Sequence, residues 1–159
     1  MRRTFSLPED RSVIEMTEVV QAPLDRAWVA RWEPLYVAQW WAPLGYTNPI
    51  VEIDLVENGR WRLVQRDPQG HELSYYGTFL TVEHHQRVIQ TYVSELFPDV
   101  TTHITTEFAE VPRGTRIVTV HAFSAERERR GYVNLGGVER MAEASMQYDR
   151  LMGKLARAR

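Results

Sequence analysis

The run Trp40-Trp41-Ala42-Pro43 ends a short stretch, beginning at Trp28, that contains four of the five tryptophans in the chain. A tryptophan ring is costly to leave in water and seldom fits wholly inside a small core. Because Pro43 and Gly45 disfavour a continuing helix, the tryptophan pair is expected at a corner between a helix and a loop. The stretch therefore predicts an apolar wall, which either borders the mouth of a pocket or fills part of a core.

The segments on both sides of this corner predict a mixed order of strands and helices. Upstream, Val13 to Gln21 alternates as a strand does, and Pro23 opens a first short helix. A second short helix follows from Pro34 to Trp41. Downstream the hydrophobic period changes to two and predicts six further strands, at residues 50–56, 60–66, 73–83, 88–95, 101–110 and 115–123. Turn residues such as Asn58-Gly59 separate these strands, so an antiparallel meander is expected.

The last third of the chain predicts a long amphipathic helix. Ser124 is a candidate N-cap, and Gly131, Gly136 and Gly137 interrupt the helical pattern before Val138. From there, inward-facing positions recur at alternating spacings of three and four residues: Val138, Met141, Ser145, Tyr148, Met152 and Leu155. Polar residues fall largely on the opposite side: Arg140, Glu143, Gln147, Arg150 and Lys154. One face of this helix is therefore expected to pack on the sheet.

These elements together predict an α+β helix-grip fold, in which a curved antiparallel sheet of about seven strands wraps around the long C-terminal helix. Two short helices follow the first strand in this prediction. Residues 1–11 are polar and are expected to form a flexible N-terminus, and residues 12–159 a single domain. A curved sheet that grips one helix leaves a cavity between the two, which is where a small molecule would bind.

Composition narrows the classes of partner and the compartment. The net charge of −2 argues against nucleic acid or a membrane as the main partner, because both require a basic surface. The chain has no cysteine, which excludes disulfides, thiolate catalysis and Cys-ligated metal sites. No run approaches the ~18 apolar residues of a membrane-spanning helix, and residues 1–10 lack the apolar segment of a secretory signal. A cytoplasmic protein is therefore expected.

Several motifs along the chain resemble one family. The order Val19-Val20-Gln21-Ala22-Pro23, Trp28 and Trp40-Trp41-Ala42-Pro43 is similar to the opening of START-like proteins of the SRPBCC superfamily, in particular the activator of Hsp90 ATPase homologue branch. Matching pieces continue in family order: Glu52-Ile53-Asp54, Asn58-Gly59-Arg60-Trp61-Arg62, Asp67-Pro68-Gln69-Gly70, Gly77-Thr78-Phe79, Gly114-Thr115-Arg116 and Tyr148-Asp149-Arg150-Leu151. Ala42 and Asn58 stand where the family usually has glycine, and Val56 where it often has arginine.

The resemblance implies the START-like helix-grip fold, but it is compatible with several functions. Relatives bind hydrophobic ligands, cyclise or dehydrate polyketides, sequester toxic compounds or assist chaperones, and a shared fold does not choose among these activities. Glu18 stands where relatives often carry arginine. The face of its strand on which Glu18 lies is left open, so no catalytic role is assigned to it.

Polar residues expected to face the cavity are candidates for ligand recognition. Thr119 and His121 share a strand face, and the imidazole is interpreted either as a ligand-orienting or acid–base group or as a hydrogen-bonded core histidine. For Tyr148 a core position is the favoured alternative. His103 is expected to face solvent, and His84-His85 to form a solvated turn rather than a metal site. The full set of candidate ligand-binding residues is Trp40, Trp41, Trp61, Gln65, Gln90, Tyr92, Thr119, His121, Met141, Ser145 and Tyr148.

The residue pattern predicts no catalytic residue, no metal site and no cofactor. The chain lacks a Gly-x-Ser-x-Gly elbow, a His-Glu-x-x-His motif and a glycine-rich phosphate loop. The favoured hypothesis is non-enzymatic binding of a small hydrophobic or aromatic molecule, lipid-like or polyketide-like, in the cavity. The alternatives are a chaperone-assisting module, with a chaperone as partner, and a polyketide cyclase or aromatase that uses His121. Both a monomer and a homodimer are compatible with the sequence.

Overall fold

Eight strands and four helices make up residues 2–158, the part of the chain that the computed structural model describes. The strands are β1 (Arg2–Ser6), β2 (Val13–Val20), β3 (Thr47–Ile53), β4 (Arg60–Arg66), β5 (Glu72–Glu83), β6 (Arg87–Ser94), β7 (Thr102–Val111) and β8 (Gly114–Ala122). The helices are α1 (Leu24–Trp32), α2 (Pro34–Trp40), α3 (Glu126–Asn134) and α4 (Gly137–Arg157). The predicted α+β helix-grip architecture is confirmed.

All eight strands form one antiparallel sheet, in the order β1-β2-β8-β7-β6-β5-β4-β3. Each strand from β3 to β7 pairs with the next strand in the chain, which is the predicted meander. The pairing of β2 with β8 sets Ile14 opposite His121 and Glu18 opposite Ile117. Both strands bury alternate residues, so β2 and β8 present their inward side chains to the same interior.

The strand β1 corrects two predictions about the N-terminus. The sequence predicts a flexible segment over residues 1–11 and about seven strands, whereas Arg2–Ser6 forms an eighth strand at the sheet edge, with Thr4 opposite Thr17. Phe5 packs against a small cluster that includes Ile14 and Met141. One apolar side chain is too few to produce a hydrophobic period. The extended conformation of Arg2–Ser6 is therefore set by its backbone pairing with β2 and is not visible in the sequence pattern. Residues 1 and 159, the outer ends of the predicted segments, lie outside the described residues.

The two short helices form as predicted, although they follow the second strand rather than the first. Glu33 between them has an extended backbone (φ −68°, ψ 126°), which ends α1, and Pro34 stands in the first turn of α2. After α2, Trp41 is extended and Ala42 adopts a left-handed backbone (φ 86°). This conformation favours glycine, which is the usual residue at this position in the family that the sequence resembles. The backbone at Ala42 is therefore strained.

The predicted C-terminal helix is two helices, α3 and α4. They are separated at Leu135 and Gly136, where Gly136 adopts a left-handed backbone (φ 83°). The predicted N-cap at Ser124 is wrong, because Ala125 occupies the cap position of α3 and the Ser124 hydroxyl donates to Glu128 Oε1 at 2.6 Å. The helix α4 is amphipathic as predicted, and its buried side chains include Met141, Ser145, Tyr148, Leu151 and Met152.

The core lies between one face of the sheet and the helices. Its main cluster combines Trp28, Trp32 and Trp40 of the short helices with aromatic residues of the sheet, such as Phe79 and Phe108. A smaller cluster of Ile14, Met16 and Met141 joins β2 to α4. Among the described residues, no helix is both long and apolar enough to cross a membrane. The side chains between the sheet and α4 do not fill the whole of the space between them.

Candidate ligand-binding cavity

A cavity of about 160 Å³ lies between the sheet and the helices. Its lining comes from every strand except β1 and from all four helices. Trp32 and Trp40 contribute from the short helices, Trp61 from β4, His121 from β8 and Met141 from α4. Residues that are far apart in the chain therefore meet around one space.

Of the eleven candidate ligand-binding residues, ten line this cavity: Trp40, Trp41, Trp61, Gln65, Gln90, Tyr92, Thr119, His121, Met141 and Ser145. Tyr148 does not line the cavity, and it takes the core position that was the favoured alternative for it. Its ring is fully buried beside Trp40, with the ring centroids 5.4 Å apart, and its hydroxyl donates to the Ala27 carbonyl at 2.6 Å. Because this hydrogen bond directs the side chain toward α1, Tyr148 belongs to the core behind the cavity.

Four rings form a connected surface along the cavity, which we call the aromatic wall: Trp41, Trp61, Tyr75 and Tyr92. Centroid distances are 5.0 Å from Trp41 to Tyr75, 5.4 Å from Tyr75 to Tyr92, and 5.8 Å from Tyr92 to Trp61. These distances lie within the range of about 4.5–7 Å that favours edge-on and offset ring pairs. Trp61 Nε1 donates to the Thr91 carbonyl at 3.0 Å, which fixes the orientation of its ring.

The two tryptophans of the corner have different surroundings. Trp40 is buried, and its Nε1 donates to the Ala30 carbonyl at 2.9 Å, which ties α2 to α1. Trp41 is partly buried and belongs to the aromatic wall. The corner is also tied to α4, since Gln147 Nε2 donates to the Ala42 carbonyl at 2.6 Å. Both interpretations of the tryptophan run therefore apply, because both rings line the cavity and Trp40 is also part of the core.

A buried polar network closes another side of the cavity. Glu18 of β2 is fully buried, and its Oε2 accepts a hydrogen bond from Arg31 Nη1 at 3.2 Å. Its Oε1 accepts from Ser145 Oγ at 2.7 Å, and Arg31 Nη2 donates to Thr119 Oγ1 at 3.1 Å. We call these four residues the Glu18 network. Ser145 Oγ also accepts a hydrogen bond from Arg3 Nε of β1, at 2.7 Å. Because Arg31 is paired with Glu18, and Thr119 and Ser145 are bonded to them, each of these polar side chains has a partner inside the protein.

The face of Glu18 was left open and Arg31 was not among the predicted site residues, although the sequence contains a pattern that indicates the inward position of each. The period of two in β2 puts Glu18 on the same face as the buried Met16 and Val20. Helical spacing puts Arg31 on the same face as Ala27 and Trp28. A charge on an inward face needs a partner, so two such charges on neighbouring elements indicate a buried pair.

His121 lies in the cavity wall with its side chain buried and with no hydrogen-bond partner for Nδ1 among residues 2–158. Burial, and to a smaller extent the positive charge of Arg31, lowers the pKa of the imidazole from 6.5 to about 4. The ring is therefore neutral at neutral pH, with one nitrogen as donor and the other as acceptor. Its neighbours are Tyr92 and Tyr132, at centroid distances of 6.3 Å and 5.8 Å.

Tyr132 of α3 and Arg140 of α4 also line the cavity, and neither was predicted to do so. Helical spacing predicts Arg140 on the solvent side of the last helix. In the structure Arg140 is half-buried, with its guanidinium 5.8 Å from the centre of the Tyr132 ring. Arg140 lies at the edge of the inward stripe, next to Met141, and the packing of α3 beside it makes that edge part of the cavity.

The remaining histidines lie away from this cavity. His103 is exposed on β7, as predicted. His84 and His85 are exposed in the turn between β5 and β6, where their rings lie 5.6 Å and 5.5 Å from the Trp28 ring. In the described part of the chain, no group of three or more His, Cys, Asp or Glu side chains is placed to hold a metal ion.

Residues 21–151 match the family model described as "Activator of Hsp90 ATPase homolog 1-like protein". This match covers most of the cavity lining, from α1 to α4. No curated protein is similar enough to the chain to count as a match.

Solved structures of similar fold come from several bacteria. A protein from Nitrosomonas europaea has a TM-score of 0.84 at 21% identity, covering 94% of this chain and 99% of that one. A protein from Mycobacterium smegmatis has a TM-score of 0.84 at 22% identity, with coverages of 93% and 94%. A protein from Rhodobacter sphaeroides has a TM-score of 0.88 at 18% identity, with coverages of 97% and 99%. At these identities the similarity establishes the fold alone.

Proposed function

Because the chain belongs to the activator of Hsp90 ATPase homolog 1-like family, we propose that it binds a small molecule in the cavity between the sheet and α4. The ligand is hydrophobic or aromatic, and the protein binds it without changing it chemically. The observation that carries this proposal is a space of about 160 Å³ lined mainly by apolar and aromatic side chains, with the unpartnered Nδ1 of His121 in its wall. A concave apolar site with a few polar groups is the usual form of a small-molecule site.

The energetic cost of the empty space supports the same conclusion. Protein interiors pack densely and contain few voids larger than a water molecule. An enclosed dry void of about 160 Å³ would forgo roughly 4 kcal/mol of packing free energy, at about 24 cal/mol per Å³, and this cavity, which is partly open to solvent, forgoes less. Larger side chains at positions such as Ala144 would remove this loss. A chain that keeps the space open therefore gains something from having it filled by another molecule.

The unpartnered imidazole of His121 favours one second candidate, a cyclase or aromatase in which this residue transfers protons. Such chemistry needs a second acid or base, and the nearby carboxylate of Glu18 is already bonded to Arg31 and Ser145. The variant His121→Ala distinguishes the two candidate functions. Loss of turnover of a cyclisable substrate with retained binding would support the enzyme, whereas no turnover by the unaltered protein supports the binder.

The proposal is tested by titrating the purified full-length chain with small molecules of graded size and polarity. Thermal unfolding and tryptophan emission are followed together, because Trp41 and Trp61 border the cavity. A ligand at a hundred times its Kd is expected to stabilise the fold by about 2.7 kcal/mol. Absence of saturable binding by one-ring aromatics, larger ring systems and alkyl chains alike would contradict the proposed function.

A matched pair of variants on α4 locates the binding site. Ala144 lines the cavity, so Ala144→Phe should occupy part of the space and abolish ligand binding. Met146 is 44% exposed on the same helix, so Met146→Phe should leave binding unchanged. Equal binding by both variants would show that a ligand binds elsewhere.

A further inference from the structure

The size of the cavity suits a ligand whose enclosed part is a single ring. Its volume of about 160 Å³ is close to that of an apolar cavity, about 150 Å³, that binds benzene. Sites for drug-sized molecules measure about 300–1,000 Å³. The aromatic wall of Trp41, Trp61, Tyr75 and Tyr92 offers ring faces and edges at one side of this volume. The shape and lining therefore suit one aromatic ring with a small substituent.

The charge of the lining is positive and unbalanced. Two arginines, Arg31 and Arg140, line the cavity, whereas no aspartate or glutamate does so among the described residues. Glu18 neutralises Arg31 from behind the wall, at 3.2 Å. Arg140 has no ion pair within the described residues, and the hydrogen bond of its guanidinium goes to the Leu135 carbonyl. A guanidinium carries five N–H donors, so most of those of Arg140 remain available.

The position of Arg140 in α4 is also unfavourable for the helix itself. Arg140 follows Gly137 by three residues and so lies in the first turn, where the helix dipole favours negative charge. The exposed Glu139 supplies negative charge in the same turn, whereas Arg140 adds to the positive end of the helix. An anion bound beside Arg140 would be stabilised both by the guanidinium charge and by the positive end of the α4 dipole.

Three neutral polar groups line the cavity together with Arg140: the hydroxyls of Tyr92 and Tyr132 and the ring of His121. Neither hydroxyl has a hydrogen bond to another of the described residues, and His121 Nδ1 is unpartnered. Burial raises the pKa of Tyr92, and raises that of Tyr132 to about 12, an effect that the charge of Arg140 partly offsets in each. Both phenols are therefore protonated and can donate.

From size, charge and donors together, we propose that the cavity is selective for a one-ring aromatic acid. Its ring lies against the aromatic wall, and its carboxylate is bound by Arg140 and accepts hydrogen bonds from the Tyr92 and Tyr132 hydroxyls. Charged hydrogen bonds of this kind are stronger than neutral ones and discriminate against uncharged analogues. This inference rests on the proposed function, since it specifies the ligand of the same cavity.

Isothermal titration of the full-length chain with matched probes tests the proposal. Benzoate and phenylacetate carry the ring and the carboxylate, benzyl alcohol and toluene lack the charge, and 2-naphthoate and decanoate exceed the space. Benzoate or phenylacetate should bind about tenfold or more tightly than benzyl alcohol. Tighter binding of benzyl alcohol, toluene, 2-naphthoate or decanoate would overturn the aromatic-acid inference while leaving the proposed function standing. Failure of all six probes would count against the proposed function itself.

Variants of Arg140 separate the charge from the shape of the cavity. Arg140→Gln should weaken benzoate binding roughly 10- to 100-fold and leave toluene binding unchanged. Arg150→Gln is the matched control, because Arg150 is an exposed arginine on the same helix. Arg140→Lys keeps a positive charge, should retain part of the affinity and guards against misfolding of the glutamine variant. An equal loss of benzoate and toluene binding in Arg140→Gln, or no loss of benzoate binding, would overturn the inference.

Discussion

Arg31 and Arg140 both line the cavity, one from α1 and the other from α4. Arg31 is buried and paired with Glu18, and its guanidinium lies 4.9 Å from the Trp40 ring centre and 5.1 Å from that of Tyr148. Arg140 is half-buried and has no acidic partner among residues 2–158. The two side chains differ in whether the protein itself neutralises their charge. The charge of Arg31 is costly to leave unpaired, whereas the charge of Arg140 is the one that the proposed ligand would pair with.

The largest loss of stability should come from removing the acidic member of the Glu18 network. Glu18→Gln leaves the Arg31 charge buried without an anion, which costs about 3–5 kcal/mol of unfolding free energy. Urea denaturation measures this loss. The matched variant Arg140→Gln removes a charge without an acidic partner among the described residues and should change the free energy of unfolding by no more than about 0.5 kcal/mol. Comparable losses in the two variants would contradict the distinction between the two arginines.

A smaller effect should follow from titrating His121, which lines the cavity together with the two arginines. Its pKa is about 4 in the folded chain and about 6.5 when unfolded, so the unfolded state binds the proton first as the pH falls. The corresponding stability, at most about 3 kcal/mol, is fully present above pH 6.5 and is lost as the pH falls toward 4. Urea unfolding at neutral and acidic pH should show a smaller acid loss in His121→Phe than in the wild type. The same acid loss in both proteins would rule out this contribution.

The smallest effect should distinguish two tyrosine hydroxyls. Tyr148→Phe removes a buried hydrogen bond to the Ala27 carbonyl and should cost about 1 kcal/mol or slightly more. Tyr132→Phe removes a hydroxyl that has no partner among the described residues, so its cost in unfolding free energy without ligand should be near zero. Thermal and urea unfolding of the two variants provide the comparison. A larger loss in Tyr132→Phe would mean that the Tyr132 hydroxyl is structural.

Much of the fold follows from local patterns in the sequence. The period of two in the strands and the alternating spacing of three and four in α4 indicate which side chains face inward, because a buried face must repeat with its own secondary structure. For that reason Gln65, Gln90 and Thr119 could be placed toward one interior before any contact was known. Where the pattern was too short, as in Arg2–Ser6 with Phe5 alone, the strand was missed.

The errors at the cavity have a different cause. Arg140 was placed on the solvent side because helical spacing describes one helix, while its burial depends on α3 packing beside it. Tyr148 was correctly placed on the inward stripe, but its hydroxyl bonds to α1 and so directs the side chain away from the cavity. A helical stripe specifies a direction from the helix axis and contains no information about which element lies opposite.

The sequence by itself determined the helix-grip architecture, the corner at Trp40 and Trp41, and the inward faces of β4, β6 and β8, because these depend on periodicity and turn chemistry within short segments. Only the tertiary structure decided which of the inward polar groups are paired. Ser145 reaches Glu18 across 127 positions of the chain, at 2.7 Å, while His121 Nδ1 has no such partner in the described residues. Pairing requires distances of about 3 Å between atoms, and only packing of the whole chain sets such distances.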